Sequence, residues 1–194
     1  REMIVWGGAD PVGEDKRAVA SYYPPCSPPT CGYSLQQAWT GPAGTARFGH
    51  DVSLGPDVDG DGRADVLVGA YDSDLAAGVN CGSAHLYSGA SGAALRTWEG
   101  SAPNACFGSA VELGPDLDGD GRGEVLIGDN SSPGGIPHAG AAHLYSGATG
   151  ALIRSFDGSI AELFFGAAVS IGPDASGDGI PDILIGTNDQ DVLA

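Results

Sequence analysis

One stretch of sequence occurs three times in this 194-residue chain: FGHDVSLGPDVDGDGRADVLVGA from Phe48, FGSAVELGPDLDGDGRGEVLIGD from Phe107 and FGAAVSIGPDASGDGIPDILIGT from Phe165. Successive copies start 59 and then 58 residues apart, at positions 48, 107 and 165. A fixed period of that length marks a repeat architecture, in which each unit buries its apolar face against its neighbours. A second matching stretch follows the first two copies, GSAHLYSGASGAALRTWEG from Gly82 and GAAHLYSGATGALIRSFDG from Gly140.

The unit contains four strand candidates. Strand A alternates, with Phe48, Val52 and Leu54 on one face beside His50, and Phe107, Val111 and Leu113 beside Ser109; that is the two-residue period of a half-buried strand. Strand B is a continuous apolar run bounded by glycine, Val66 to Val68, Val125 to Ile127 and Ile183 to Ile185, as expected of a strand covered on both faces. Strand C is Ala84 to Tyr87 and Ala142 to Tyr145, and strand D is Leu95 to Trp98 and Leu152 to Phe156, with a Ser-Gly-Ala-Ser/Thr-Gly turn between C and D. No helical period of useful length occurs, so the fold class is all-β.

The organisation that follows is a degenerate partial unit over 1–47, full units over 48–106 and 107–164, and a partial unit over 165–194. In the first segment Met3 to Gly7 resembles strand B, Val19 to Tyr23 falls at strand C, and Ser34 to Gly41 resembles strand D. The Pro-rich insert from Pro24 to Cys31 is read as a stapled surface loop or a binding loop.

Between strands A and B each copy carries an acidic loop. The first offers Asp57, Asp59, Asp61 and Asp65 with the Arg63 carbonyl; the second Asp116, Asp118, Asp120 and Glu124 with the Arg122 carbonyl; the third Asp174, Ser176, Asp178 and Asp182 with the Ile180 carbonyl. Calcium takes six to eight oxygens, and a tight loop can aim alternate side chains and one carbonyl at a single centre. About three calcium ions are therefore expected. With Ser176 in place of a carboxylate, the third loop should bind most weakly. The loops are not EF-hands, since no helices flank them and no glutamate occupies position 12 of the twelve-residue frame. Magnesium fits less well, because it prefers waters and substrate phosphates to an all-protein cage.

Composition agrees with metal. Twenty-five acidic against 8 basic residues give a formal charge of −17, a self-repulsion that bound cations would relieve. The same charge argues against nucleic acid and anionic lipid as partners, and no apolar run is long enough for a membrane-spanning helix. Four cysteines allow three disulfide connectivities. The short Cys26 to Cys31 loop favours a local bridge, leaving Cys81 with Cys106; free buried thiols are the alternative. Two disulfides would place the chain in an extracellular, oxidising compartment. Asn130-Ser131-Ser132 is a potential glycosylation triplet.

Phe48-Gly49, Phe107-Gly108 and Phe165-Gly166, the three Asp-rich loops, and Val68-Gly69-Ala70 together resemble the FG-GAP repeats of the integrin α-subunit β-propeller. The resemblance implies a β-propeller-like array of four-stranded antiparallel blades, about three here and incomplete at both ends, with structural calcium in loops on one face. No copy keeps the full Gly-Ala-Pro: the residues after the strand B glycine read Ala70-Tyr71, Asp129-Asn130 and Thr187-Asn188.

Propellers usually close with four to eight blades, so the expected strand order leaves open sheet edges. Two different open edges suit head-to-tail pairing of the chain with itself, by strand complementation, into a filament or another extracellular polymer. The alternative is a segment of a larger closed propeller acting as an adhesion module for an extracellular protein or a glycan. Trp6, Trp39, Trp98, Tyr22 and Tyr23 are the candidate contacts, although the shared repeat position of Trp39 and Trp98 argues for packing. An enzyme is not expected. His85 and His143 are repeat-equivalent, which suits exposed or edge strand residues, and no nucleophile or phosphate-cradling motif accompanies them or His50 and His138.

Overall fold

The computed structural model describes residues 2–9, 16–23, 37–41, 47–131 and 136–188, the first two segments as paired backbone strands. Every regular element in them is a strand, and none is a helix long and apolar enough to cross a membrane. β1 (Glu2–Ala9), β2 (Lys16–Tyr23) and β3 (Trp39–Thr40) form one sheet. The next holds β4 (Val52–Leu54), β5 (Val66–Ala70), β6 (Ser83–Tyr87) and β7 (Ala94–Glu99), and the third holds β8 (Phe107–Leu113), β9 (Glu124–Asp129), β10 (Ala141–Ser146) and β11 (Leu152–Asp157). β12 (Ala168–Ile171) and β13 (Ile183–Gly186) pair alone. All pairings within these sheets are antiparallel between sequence neighbours, the up-and-down order of propeller-type blades.

Strand B behaves as its composition demands. Val66, Leu67, Val68, Val125, Leu126 and Ile127 are all fully buried, each covered by two strands of its own sheet and by a neighbouring blade. Apolar clusters fill the spaces between sheets. One joins Trp39 to Phe48, Val66, Val68 and Tyr87; the next joins Leu67, Leu86 and Trp98 to Phe107, Val111, Leu113 and Ile127; the last joins Leu126 and Leu144 to Ile171. The Trp98 indole N–H donates to Gly150 O, 3.2 Å away in the next blade's C–D turn, and Trp39 does the same to Gly92 O at 3.0 Å. Both tryptophans are packing residues, 4% and 7% exposed.

The blades can approach because strand B ends in glycine. A Cβ on Gly69 would sit 2.2 Å from the Gly108 carbonyl oxygen, and one on Gly128 would sit 2.1 Å from that of Gly166. Gly108 itself has φ 82°, a conformation in which L side chains are strained. The Phe-Gly of one copy and the glycine ending the preceding strand B are thus the two halves of one backbone contact.

Several sequence expectations need correction. In the first copy Leu54 is 46% exposed and Ser53 is buried, because Ser53 faces the next blade, where its Oγ accepts from Leu113 N and donates to Glu112 Oε2. The expected Cys81–Cys106 disulfide is absent: both are free thiols. Their backbones are adjacent, with Cys106 N donating to Asn80 O and Phe107 N to Cys81 O. Cys81 Sγ turns toward Gly78 O, whereas Cys106, at φ 60°, turns its Sγ toward Asn104 O. The Cys26–Cys31 reading lies outside the described residues.

His85 is not an exposed or edge residue. It is 4% exposed and lies within a chain of hydroxyls: Ser73 Oγ to Ser83 Oγ at 2.9 Å, Ser83 Oγ to Nε2 at 2.9 Å, and Nδ1 to Thr97 Oγ1 at 3.1 Å. Burial pushes its pKa down to about 4. Both ring nitrogens bond to hydroxyls, and among the described residues neither bonds to a carboxylate. Its repeat equivalent, His143, donates or accepts at Ser155 Oγ and lies 3.7 Å from Asp129.

Candidate metal centres

The acidic loops are the turns joining β4 to β5, β8 to β9 and β12 to β13. Each turns on itself by the same bonds. Asp57 accepts from the Gly60 and Gly62 amides, Asp116 from Gly119 and Gly121, and Asp174 from Gly177 and Gly179. Asp61 and Asp120 each accept at 2.9 Å from the amide two residues on, of Arg63 and Arg122; Asp178 does so from Ile180. These amide bonds hold Asp57 and Asp174 below the usual carboxylate range, the Gly62 and Gly179 bonds being the largest causes, with Arg122 a smaller cause for Asp57. A carboxylate stabilised as the anion is ready to ligate a cation.

Asp116, Asp118, Asp120 and Glu124 bring one carboxylate oxygen each within 4.8 Å of one another, and Asp57, Asp59 and Asp61 do the same. Asp65 lies outside the first group. It is fully buried, with Oδ2 accepting from Val58 N and Asp59 N and Oδ1 from Gly89 N; burial raises its pKa against those bonds. Asp182 likewise accepts from Ala175 N and Ser176 N, and Ser176 Oγ donates to Asp174; with serine at the third position, Asp174, Asp178 and Asp182 do not form a converging set of three carboxylates. Among the position-seven residues, whose carbonyls the motif assigns as ligands, the side chains differ: Arg122 reaches the first loop, while Ile180 is 53% exposed.

Glu124 decides whether the second loop suits an ion. It is fully buried; Oε2 accepts from Leu117 N, and Oε1 has no partner at all. Burial, followed by the charges of Asp118, Asp116 and Asp120, pushes its pKa up to about 7 against the Leu117 bond. A buried carboxylate that keeps one oxygen unpartnered and stands among three more carboxylates is a costly arrangement in water alone. A divalent cation bound by hard oxygen ligands supplies the missing partner, so the residues present fit calcium.

Two contributors escaped the sequence reading. Ser88 and Ser146, at the start of the C–D turn, donate their hydroxyls to Asp61 and Asp120, tying the C–D turns of the two four-stranded blades to their acidic loops. Their signal was present in the repeated Tyr-Ser-Gly-Ala stretch, which reads as a turn until the fold brings it beside the loop.

Four-stranded antiparallel blades, stacked through glycine contacts and each turning from its first strand to its second through an acidic loop, define a β-propeller-type repeat protein. Residues 48–92, spanning β4 to β6 with the first acidic loop, match the family model of the FG-GAP repeat. The copies that begin at Phe107 and Phe165 carry the same motif.

Proposed function

We propose that this chain is a secreted, calcium-binding structural and adhesive module that has no catalytic role. Two observations on Glu124 carry the reading: one of its oxygens lies within 4.8 Å of oxygens from Asp116, Asp118 and Asp120, and its buried Oε1 has no hydrogen-bond partner. Asp116, Asp118, Asp120, Glu124 and the Arg122 carbonyl would hold one ion. Asp57, Asp59, Asp61, Asp65 and the Arg63 carbonyl would hold a second; Asp174, Ser176, Asp178, Asp182 and the Ile180 carbonyl would hold a third, more weakly. The ion supplies positive charge and fixed geometry to the A–B turn, and so stiffens each blade. Calorimetric calcium titration tests this: saturable binding that raises the melting temperature supports it, and the absence of binding at millimolar calcium refutes it.

The chain's partner, in this reading, is another copy of itself. Leu184 occupies the repeat position of Leu67 and Leu126, yet it is 73% exposed where they are fully buried. Among the described residues β13 pairs only with β12, so one of its edges is open. A strand from a second copy would cover that edge and the Leu184 side chain together. The same observation also favours completion in cis by further strands of a larger propeller, serving as an adhesion module for an extracellular protein or glycan. Light scattering separates the two: calcium-dependent growth beyond the monomer supports self-assembly, and strict monomers exclude it.

A further inference from the structure

We propose that the Arg122 side chain acts as a competing cation at the first acidic loop, so that the second blade sets the calcium affinity of the first. The inference rests on the reading that these loops hold calcium. Arg122 belongs to the second loop, where its carbonyl is an assigned ligand, but its guanidinium crosses to the neighbouring blade. There Nη1 lies 3.9 Å from Oδ1 of Asp57, the first ligand position of the first loop.

The loop glycines show that this placement is particular. A Cβ on Gly60 would meet Arg122 Nη2 at 2.3 Å and Nη1 at 2.7 Å, whereas a Cβ on Gly62, Gly119, Gly121, Gly177 or Gly179 would meet nothing within 4 Å. Gly60 and Gly119 are repeat-equivalent, so the guanidinium covers the first loop while the same face of the second is open. The reason lies in the sequence at loop position seven. The second loop carries Arg122 there and lays it against the first, whereas the third carries Ile180, which is 53% exposed. Isoleucine carries no charge to compete with an ion.

A guanidinium beside Asp57 screens the carboxylates of the first loop when calcium is absent. Once calcium enters, two like charges share the site, and the guanidinium must withdraw or be tolerated at a cost. The first loop is therefore partly organised before the ion arrives and weaker for it afterwards, and the second loop fills before the first. At the first loop the Arg122 side chain contacts a ligand, Asp57, rather than the ion, which makes it a positioning residue there.

Amide resonances give the test site by site: Gly60 and Gly62 report on the first loop, Gly119 and Gly121 on the second, Gly177 and Gly179 on the third. In the wild-type chain the second-loop signals should reach their midpoint at lower calcium than the first-loop signals. Arg122→Gln, which keeps a polar side chain without the charge, should lower the first-loop midpoint about two- to fivefold, the range of an exposed ion pair. The third-loop midpoint should stay unchanged, and Arg122→Lys should restore the wild-type order. Raising the ionic strength should shrink the difference between variants. An unchanged or raised first-loop midpoint in Arg122→Gln, with calcium still binding, overturns the competition alone. If no reporter responds to calcium in any variant, the competition falls together with the calcium reading.

Discussion

Acid should destabilise this fold through one buried histidine. The neutral ring of His85 is held between Ser83 and Thr97, and its pKa falls from the ordinary 6.5 to about 4. Because the folded value is depressed, the unfolded chain takes up the proton first. The stabilisation is complete above pH 6.5 and is lost as the pH drops toward 4. The difference between about 4 and 6.5 corresponds to roughly 3 kcal/mol when fully lost, and about 2 kcal/mol of it should disappear between pH 8 and pH 5. The assay is urea unfolding of the wild type and His85→Gln at pH 8, 6.5 and 5, with chelator present so that protons and calcium do not compete at the loops. Glutamine has its own packing penalty, but that penalty does not vary with pH. Carboxylates titrate alike in both proteins and cancel in the difference. The gap between the two unfolding free energies should therefore shrink by about 2 kcal/mol from pH 8 to pH 5. A gap that stays constant refutes the reasoning, since it would mean that His85 is protonated in the folded protein without penalty.

Replacing Glu124 by Gln should have opposite effects with and without metal. Calorimetry should show calcium affinity at the second loop reduced roughly tenfold or more, while the chelated protein at pH 8 should unfold at an equal or higher temperature, since a buried unpaired charge has been removed. Gly69→Ala drives a methyl group into the Gly108 carbonyl oxygen, 2.2 Å away; denaturant unfolding should register a loss of roughly 1–3 kcal/mol, the usual penalty of overpacking. Trp98→Phe deletes the indole bond to Gly150 and should lower stability by about 1 kcal/mol, with near-ultraviolet circular dichroism showing the blades still packed.

How much was legible in the sequence depended on whether the signal was local. Strand B could be read at Val66 to Val68 and Val125 to Ile127 because a run covered on both faces must be apolar throughout. The acidic loops could be read because a turn of alternating carboxylates and glycines makes its own bonds, as Asp57 and Asp116 do to amides three and five residues on. His85 could not be placed, because its surroundings come from other segments: Thr97 on the next strand bonds its ring, and Ser73, after the preceding strand, bonds its neighbour Ser83. Phe48 and Val52 pack in the core as the alternation implies, but Leu54 on the same face is 46% exposed, because alternation gives two faces without saying how far along the strand each is covered. Cys81 and Cys106 were paired only because the short Cys26 to Cys31 loop favoured a local bridge and left them over, with free thiols as the alternative. The backbone brings them side by side with thiols pointing apart.

By itself, then, the order of residues determined the repeat, its four strands, the all-β class and the set of oxygens each loop could offer. Each of these depends on contacts within a few residues or on a period that the chain displays openly. Tertiary structure alone decided how the copies differ in use. It left one oxygen of Glu124 without a partner, committed those of Asp65 to backbone amides, and laid the Arg122 guanidinium over Gly60 of another blade. Those outcomes depend on which loops the stacking of blades makes neighbours, and no single repeat contains that information.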